Sequence, residues 1–257
     1  MRGCGGARRV VKTEYRAVRP RGEVLQDLSG DQDIAGIDQQ KEFAVRRFVS
    51  RMRKCLFVPI CLGLLAIAAT AHAQQSGTQA PEQLVEKLRE GGYVLYVRHA
   101  TTDHAQADTD LSDFSRCEFQ RNLSAQGRRE SETMAAAFAA LEIKVDQVYT
   151  SPYCRCVDTA SIVFGRFEIV DDMRATFFTN QEETAYLVDF LRSQLSSVPK
   201  AGFNTVLVGH TANLRDLTTV WPKPEGVAHV FKPLGGGEFE HLGRIMPTDW
   251  EAFVPPQ

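Results

Sequence analysis

The sequence predicts a three-layer α/β/α fold with a mainly parallel central sheet. Short segments typical of strands alternate with longer segments of helical period, which favours this fold. The last two strand segments are joined by three consecutive glycines at 235–237, which predicts that they form a closing pair. Strands that alternate with helices pair in parallel and are covered by helices on both faces. The formal net charge of −2 gives no indication of nucleic-acid binding.

Five segments have the apolar spacing of helices: 81–89, a segment from Ser124, a segment after Ser151-Pro152, 181–195 and about 212–219. Ser124 is expected to cap the second helix, and Ser151 the third, because a serine before a helix can accept a hydrogen bond from its first turn. In the fourth helix, the residues expected to face inward are Tyr186, Leu187, Phe190 and Leu191.

Six short segments predict the strands: 93–97, 147–150, 167–170, 205–209, 227–232 and 238–245. The last two are expected to form a closing pair. Between the first strand and the second helix, residues 101–121 are polar and predict a long loop over the sheet edge. A loop of this length in a small domain is usually functional or disordered.

The amino-terminal third of the chain predicts export. Residues 52–73 contain a basic start, a short apolar run and an Ala-His-Ala cleavage site, the pattern of a secretory signal peptide. Residues 1–51, upstream of it, are expected to be disordered or a mis-assigned extension; a cytoplasmic tail before an uncleaved anchor is the alternative. Residues 74–91 predict a linker and the first helix, and 92–257 the main domain. The mature protein is therefore expected to be periplasmic or secreted, without a stable membrane span.

Three cysteines lie in the mature part: Cys117, Cys154 and Cys156. In an oxidising compartment two of them are expected to pair. Cys117–Cys154 is the preferred bridge, and Cys117–Cys156 the second choice. A metal site on Cys154-x-Cys156 is the alternative, but no histidine stands at ligand spacing.

Three predicted strands end near basic side chains. Arg98 and His99 follow the strand at 93–97, His210 follows the strand at 205–209, and Arg155 lies in the helix after the strand at 147–150. The carboxyl ends of parallel strands meet at one edge of the sheet, where ligands bind in open α/β folds. A single such histidine or arginine is usually structural or solvated, but four of them at one edge suit a phosphate.

The chemistry of phosphoryl transfer explains this choice of residues. Arg98 and Arg155 each offer a planar fork of donors to phosphate oxygens. A neutral imidazole is a competent nucleophile near pH 7, so His99 is predicted to form a phosphohistidine. His210 is predicted to donate a hydrogen bond, or a positive charge, to the same phosphate.

Four segments, in order, resemble the motifs of the histidine phosphatase superfamily, also called phosphoglycerate-mutase-like. Residues 96–101 (YVRHAT) resemble its Arg-His-Gly signature, and 122–127 (NLSAQG) its L-T/S-x-x-G helix start. Residues 150–160 (TSPYCRCVDTA) resemble its S-S-P-x-x-R-x-x-x-T-A element, and 208–210 its second-histidine strand. The resemblance covers about Gly92 to Gly243.

The resemblance implies a phosphoglycerate-mutase-like fold in which His99 is the phosphorylated nucleophile. Arg98, Arg155 and His210 would complete the phosphate pocket, and no metal or organic cofactor is expected. The implied partner is a small phosphorylated molecule or a phosphoprotein. Thr101 is expected either to contact phosphate or to cap a turn, and Asn213 either to contribute to an anion site at a helix start or to be an ordinary first-turn residue.

The chain departs from the family pattern at two places. Ala100 replaces the usual glycine, and Met173-Arg174-Ala175 stands where many members carry a glutamate that acts as general acid. Glu225 is the first candidate for that acid, followed by Asp103 and then by Glu182 and Glu183. For each of them, an ordinary exposed loop charge is the alternative.

The predicted function is that of an exported, metal-independent phosphatase for phosphomonoesters or phosphohistidine. A phosphomutase, and a binding module that keeps the phosphate pocket without catalysis, are the alternatives. The missing glutamate motivates the binding module, whereas export argues against a mutase because phosphorylated sugar intermediates are mainly cytosolic.

Overall fold

A computed structural model of the protein describes residues 78–255. The predicted extension at 1–51, the signal peptide at 52–73 and the linker before residue 78 lie outside the described residues. Within residues 78–255, every helix is too short or too polar to cross a membrane.

Six strands form one sheet in the order β3-β2-β4-β1-β5-β6. Their bounds are β1 Val94–Arg98, β2 Val145–Thr150, β3 Glu168–Ile169, β4 Asn204–Gly209, β5 Ala228–Gly235 and β6 Glu238–Ile245. The first four pair in parallel with one another, whereas β5 pairs antiparallel with both β1 and β6. The prediction of a mainly parallel sheet with a closing pair of strands is confirmed.

Five α-helices accompany the sheet: α1 Pro81–Glu90, α2 Ala125–Ala140, α3 Cys154–Phe164, α4 Gln181–Ser196 and α5 Thr211–Leu217. Ser124 caps α2, since its hydroxyl accepts a hydrogen bond from the backbone N–H of Gly127 at 3.1 Å. The prediction that Ser151 caps α3 is wrong. The helix begins three residues later, after Tyr153, because Ser151 directs its hydroxyl to His210 instead.

The helices cover both faces of the sheet, and strand β1 shows why. Successive strand residues point to opposite faces. Leu95 and Val97 pack with apolar side chains of α1, α2 and α3, whereas Val94 and Tyr96 pack with those of α4 and α5. Because both faces of the strand are buried, its sequence is continuously apolar. This confirms the three-layer architecture.

One predicted core residue of α4 is wrong. Tyr186 is exposed over 58% of its surface, while Leu187 beside it is buried. The Tyr186 hydroxyl lies 3.0 Å from a carboxylate oxygen of Asp172, and this hydrogen bond holds the ring at the surface.

The carboxyl ends of β1, β4 and β2 lie side by side. The backbone N–H of His99 donates to the carbonyl of Gly209 at 3.1 Å, and the N–H of Ser151 donates to the carbonyl of Val208 at 3.0 Å. These bonds continue the sheet pairing one residue past the strands. They therefore align the residues that leave the strands at this edge.

The polar loop 101–121 is connected to the rest of the domain near both of its ends. Near its start, Thr102 forms an isolated antiparallel bridge with Leu123. Near its end, Cys117 forms a disulfide with Cys154, the first residue of α3. This is the pair that the sequence analysis preferred, and the third cysteine, Cys156, is buried as a free thiol.

Candidate active site

His99 is a buried imidazole at the end of β1, with 2% of its surface exposed. Its Nδ1 lies 3.0 Å from the carbonyl oxygen of Ala100, which can only accept, so Nδ1 carries the proton. The lone pair is then on Nε2, which is free to attack an electrophile. Burial, followed by the charge of Arg155, holds the pKa of His99 well below its ordinary value, which keeps the ring neutral near pH 7.

His210 faces His99 from the end of β4. The two ring centroids are 5.6 Å apart, with the rings close to an edge-on arrangement. Its Nε2 lies 2.8 Å from the hydroxyl of Ser151 at the end of β2. Burial and then the charge of Arg155 lower the pKa of His210 well below its ordinary value, so this ring is also neutral near pH 7.

A tyrosine from β1 fixes the backbone of His210. The Tyr96 hydroxyl donates to the His210 carbonyl at 2.6 Å and accepts from the His210 N–H at 2.9 Å. Both groups would otherwise be buried polar atoms without partners, which is costly. The two hydrogen bonds therefore fix the position of His210 relative to β1, the strand that His99 follows.

Arg155 lies in the first turn of α3 and is 4% exposed. Its Nη1 donates to the Asp108 carboxylate at 2.9 Å, and its guanidinium carbon lies 4.4 Å from the centroid of the Tyr153 ring. The middle of α3 is held to the segment that follows β1, because the Thr159 hydroxyl accepts from the Ala100 N–H at 3.0 Å. The contacts with Asp108 and Tyr153 therefore position the Arg155 guanidinium, and the Thr159 hydrogen bond positions the helix that carries it.

Arg98 is held by the segment that precedes β5. Its Nη2 donates to Oε1 of Glu225 at 3.0 Å, and its Nη1 donates to the carbonyl of Pro222 at 3.2 Å. Glu225 also accepts from the backbone N–H of Thr102 at 2.8 Å, and the guanidinium of Arg121 lies 3.7 Å from the same carboxylate.

The three guanidinium groups retain unused donors. The Nε atoms of Arg98, Arg121 and Arg155 are buried and have no hydrogen-bond partner among the described residues. Buried N–H groups without acceptors are rare in folded proteins. An oxyanion bound between these groups would offer them acceptors, and guanidinium forks match its geometry.

Among the accessory residues predicted from the sequence, Thr101 and Asp103 have local partners. The Thr101 hydroxyl donates to Glu130 at 2.7 Å, although the residue lines the mouth of the site. The Asp103 carboxylate accepts from the backbone N–H of Ala105 and the side chain of Gln106. The structure therefore does not bring the Asp103 carboxylate into hydrogen-bond contact with the site's imidazole or guanidinium groups in the described part of the chain.

Asn213 and Glu183 both contact Arg174, at the place where the family glutamate is missing. The Asn213 side-chain amide donates to the Arg174 carbonyl at 2.7 Å, and Glu183 forms an ion pair with the Arg174 guanidinium. The side-chain oxygen of Asn213 is buried without a hydrogen-bond partner among the described residues. The carboxylate of Glu183 is thus engaged in a salt bridge.

Sequence reasoning missed several residues that shape the site. Arg121 and Asp108 come from the polar loop, Ser151 was assigned a capping role, and Tyr96 was assigned only to a strand. The position of Arg121 directly before the Asn122-Leu123-Ser124 motif is a signal that could have identified it. Asp108 has no such signal, because nothing in the spacing of the loop relates it to Arg155.

The alternative metal site on Cys154-x-Cys156 is wrong, because Cys154 is in the disulfide and cannot supply a thiolate. Within residues 78–255, no group of three or more His, Cys, Asp or Glu side chains is arranged to hold a metal ion.

Comparison with solved structures gives similar chains at low identity. The protein histidine phosphatase SixA, complexed with tungstate, is 16% identical over 61% of this chain and 98% of its own, with a TM-score of 0.44. A mutant phosphoserine phosphatase from Entamoeba histolytica, in complex with phosphoserine, is 13% identical over 61% and 98%, with a TM-score of 0.43. A mycobacterial glucosyl-3-phosphoglycerate phosphatase is 13% identical over 55% and 92%, with a TM-score of 0.41.

None of the curated proteins compared with the chain matches it. The family model of the histidine phosphatase superfamily (branch 1), in contrast, matches residues 94–177. This segment contains Arg98, His99 and Arg155 and ends before the strand that carries His210. For this part of the chain, the match confirms the resemblance to the histidine phosphatase superfamily that the sequence motifs predict.

Proposed function

We propose that the protein is a metal-independent phosphatase that hydrolyses phosphomonoesters or phosphohistidine through a phosphohistidine intermediate on His99. The observation that carries the proposal is the state of the His99 ring. Its Nδ1 proton is bound to a carbonyl, its Nε2 lone pair is free, and Arg98, Arg121 and Arg155 are close enough to lower its pKa.

In the first step, Nε2 of His99 attacks phosphorus, the P–N bond forms and the bond from phosphorus to the leaving group breaks. The leaving group departs with the bonding electron pair and takes a proton from water. Negative charge spreads over the three phosphoryl oxygens in this transition state. Arg98, Arg121 and Arg155 are placed to donate to those oxygens, in a buried site where such bonds are worth more than in water. His210 donates a further hydrogen bond.

In the second step, a water molecule attacks the phosphohistidine. Its oxygen bonds to phosphorus while the P–N bond breaks, the water proton leaves to solvent, and inorganic phosphate and neutral His99 are regenerated. The Nδ1–H bond to Ala100 is kept throughout, so the ring returns to the same tautomer and orientation.

The general-acid role predicted for Glu225 stays a prediction, but its contacts favour a different role. Arg98, the backbone N–H of Thr102 and the Thr102 hydroxyl all donate to its carboxylate. Because the Glu225 carboxylate is surrounded by donors, it acts as a hydrogen-bond acceptor that positions Arg98. Departure of a nitrogen leaving group, as in phosphohistidine hydrolysis, needs less help from an acid.

Export to the periplasm or the exterior is part of the proposal. Disulfides form and persist in oxidising compartments, and the Cys117–Cys154 bridge supports such a location. A phosphomutase, which would return the phosphoryl group to a second hydroxyl, and a binding module without catalysis remain the competing functions.

The decisive experiment exchanges His99 for Ala and follows release of phosphate from phenyl phosphate. We expect turnover to fall by about 1000-fold or more, with an unchanged circular dichroism spectrum. His241→Gln, which alters an imidazole on β6 outside the site, should retain turnover. With a labelled phosphodonor, an acid-labile phosphoenzyme should form on the unmodified protein; its absence, together with no released phosphate, would favour the binding module.

A further inference from the structure

A cavity opens beside Arg98 at the end of β1. Its volume is about 600 Å³, and its lining residues are Arg98, Thr101, His104, Lys223, Pro224 and Glu225. This volume is typical of small-molecule pockets and exceeds what a phosphoryl group alone requires. On the proposed function, the leaving group of the substrate occupies this space.

Most basic side chains near the cavity already form an ion pair with a carboxylate. Glu225 is 3.0 Å from Arg98, 3.7 Å from Arg121 and 3.6 Å from the imidazole of His104. Asp108 pairs with Arg155 at 2.9 Å. The carboxylates of Glu225 and Asp108 are thus committed to the three arginines, and that of Glu225 also contacts the His104 imidazole.

Lys223 differs from these residues, because it forms no ion pair with a carboxylate among residues 78–255. Its ammonium nitrogen lies 5.2 Å from the centroid of the Trp221 ring instead. A cation over an aromatic face is attracted by the ring quadrupole without losing its charge. The ammonium group is therefore placed at the cavity wall with its hydrogen-bond donors available.

A second cation lies beside the Trp221 ring beneath Lys223. The guanidinium carbon of Arg215 lies 5.5 Å from the Trp221 ring and 5.7 Å from the Phe177 ring, so it stands between the two aromatic side chains. Arg215 is fixed by Asp216, whose other oxygen accepts from the Thr176 hydroxyl at 2.6 Å. Because Asp216 neutralises Arg215, the unpaired charge of this cluster is that of Lys223.

Trp221 is also connected to the catalytic edge through the backbone. The next residue, Pro222, supplies the carbonyl that accepts from Arg98 at 3.2 Å, and Lys223 follows it directly. The segment 221–225 therefore positions one phosphate arginine, through Pro222 and Glu225, and at the same time places a free ammonium group at the cavity wall.

We infer that Lys223 forms a second anion subsite, which selects phosphorylated substrates whose leaving group carries its own negative charge. A carboxylate or a second phosphate on the leaving group supplies the counter-charge that Lys223 lacks. This inference rests on the proposed function, since it assigns the class of leaving group for the same site.

The test compares two ligands that differ in a single carboxylate, phenyl phosphate and 4-carboxyphenyl phosphate. Their dissociation constants are measured by calorimetry on the His99→Ala protein, so that the result does not depend on turnover. We expect the carboxylated ligand to bind about threefold to tenfold more tightly, the range of a partly exposed charge pair. The preference should decrease when salt is raised, because exposed charges are screened.

Adding Lys223→Met should abolish this preference and leave the affinity for phenyl phosphate within about twofold. The matched control is Lys200→Met, which removes another exposed lysine, 4.8 Å from the centroid of the Phe203 ring and placed before the amino end of β4. A preference that is absent at the outset, or that survives Lys223→Met, overturns the inference. The proposed function is judged separately, by turnover of phenyl phosphate in the unmodified protein.

Discussion

Reduction of the Cys117–Cys154 disulfide should destabilise the domain strongly. The bridge closes a segment with a sequence separation of 37 residues. In the chain-entropy model, a loop of this length restricts the unfolded chain by about 4 kcal/mol at 25 °C. For a domain of this size, each kcal/mol changes the melting temperature by about 2–4 °C, so we expect a decrease of roughly 8–16 °C.

The assay is thermal unfolding followed by circular dichroism, with and without dithiothreitol. Cys117 is exposed, so the reductant can reach the bridge. The double variant Cys117→Ser/Cys154→Ser should melt at the lower temperature under both conditions, whereas Cys156→Ser should respond to the reductant like the unmodified chain. A decrease below about 2 °C on reduction would refute the argument, because the segment would then be held by its other contacts alone.

Two further predictions concern single side chains. Glu225→Gln should lower kcat/KM about tenfold for all substrates alike, since it weakens charge-assisted hydrogen bonds to Arg98 and Thr102; a loss confined to poor leaving groups would instead identify Glu225 as the general acid. Acid should destabilise the fold through His229, because burial and then the nearby His241 lower its pKa to about 3. Below the ordinary pKa of 6.5, His229 binds a proton in the unfolded chain but not in the folded chain. The free energy of unfolding therefore decreases as the pH is lowered, by about 1.4 kcal/mol between pH 7.5 and 5.5. Urea unfolding at both pH values should show that His229→Gln removes this part of the loss; an equal loss in the variant contradicts the assignment.

The periodic elements could be predicted from the sequence because burial imposes a period on them. The predicted helix at 181–195 is observed at Gln181–Ser196, and the predicted strand at 238–245 is observed with those bounds. The four basic residues of the predicted pocket stand at strand ends or just after one, and the parallel topology brings strand ends together. For these residues, the position in the sequence is therefore enough to predict the edge of the sheet at which they lie.

The residues contributed by the loop could not be predicted in this way. Asp108 reaches Arg155 across 47 positions of the chain through a segment that has no apolar period. Ser151 has a strong local preference to cap a helix, but the tertiary hydrogen bond to His210 takes precedence. Similarly, Tyr186 has the spacing of a core residue, but its hydroxyl forms a hydrogen bond with Asp172 at the surface.

The hydroxyl of Tyr96 occupies the place that a side chain at position 209 would need. A methyl group built on Gly209 would come within 2.5 Å of that oxygen, closer than real carbon atoms approach. The residue at position 209 therefore depends on the residue at position 96. As long as the Tyr96 hydroxyl is hydrogen-bonded to the backbone of His210, only glycine is tolerated at position 209. An engineer who wishes to place a side chain at position 209 must therefore also shorten the side chain at position 96.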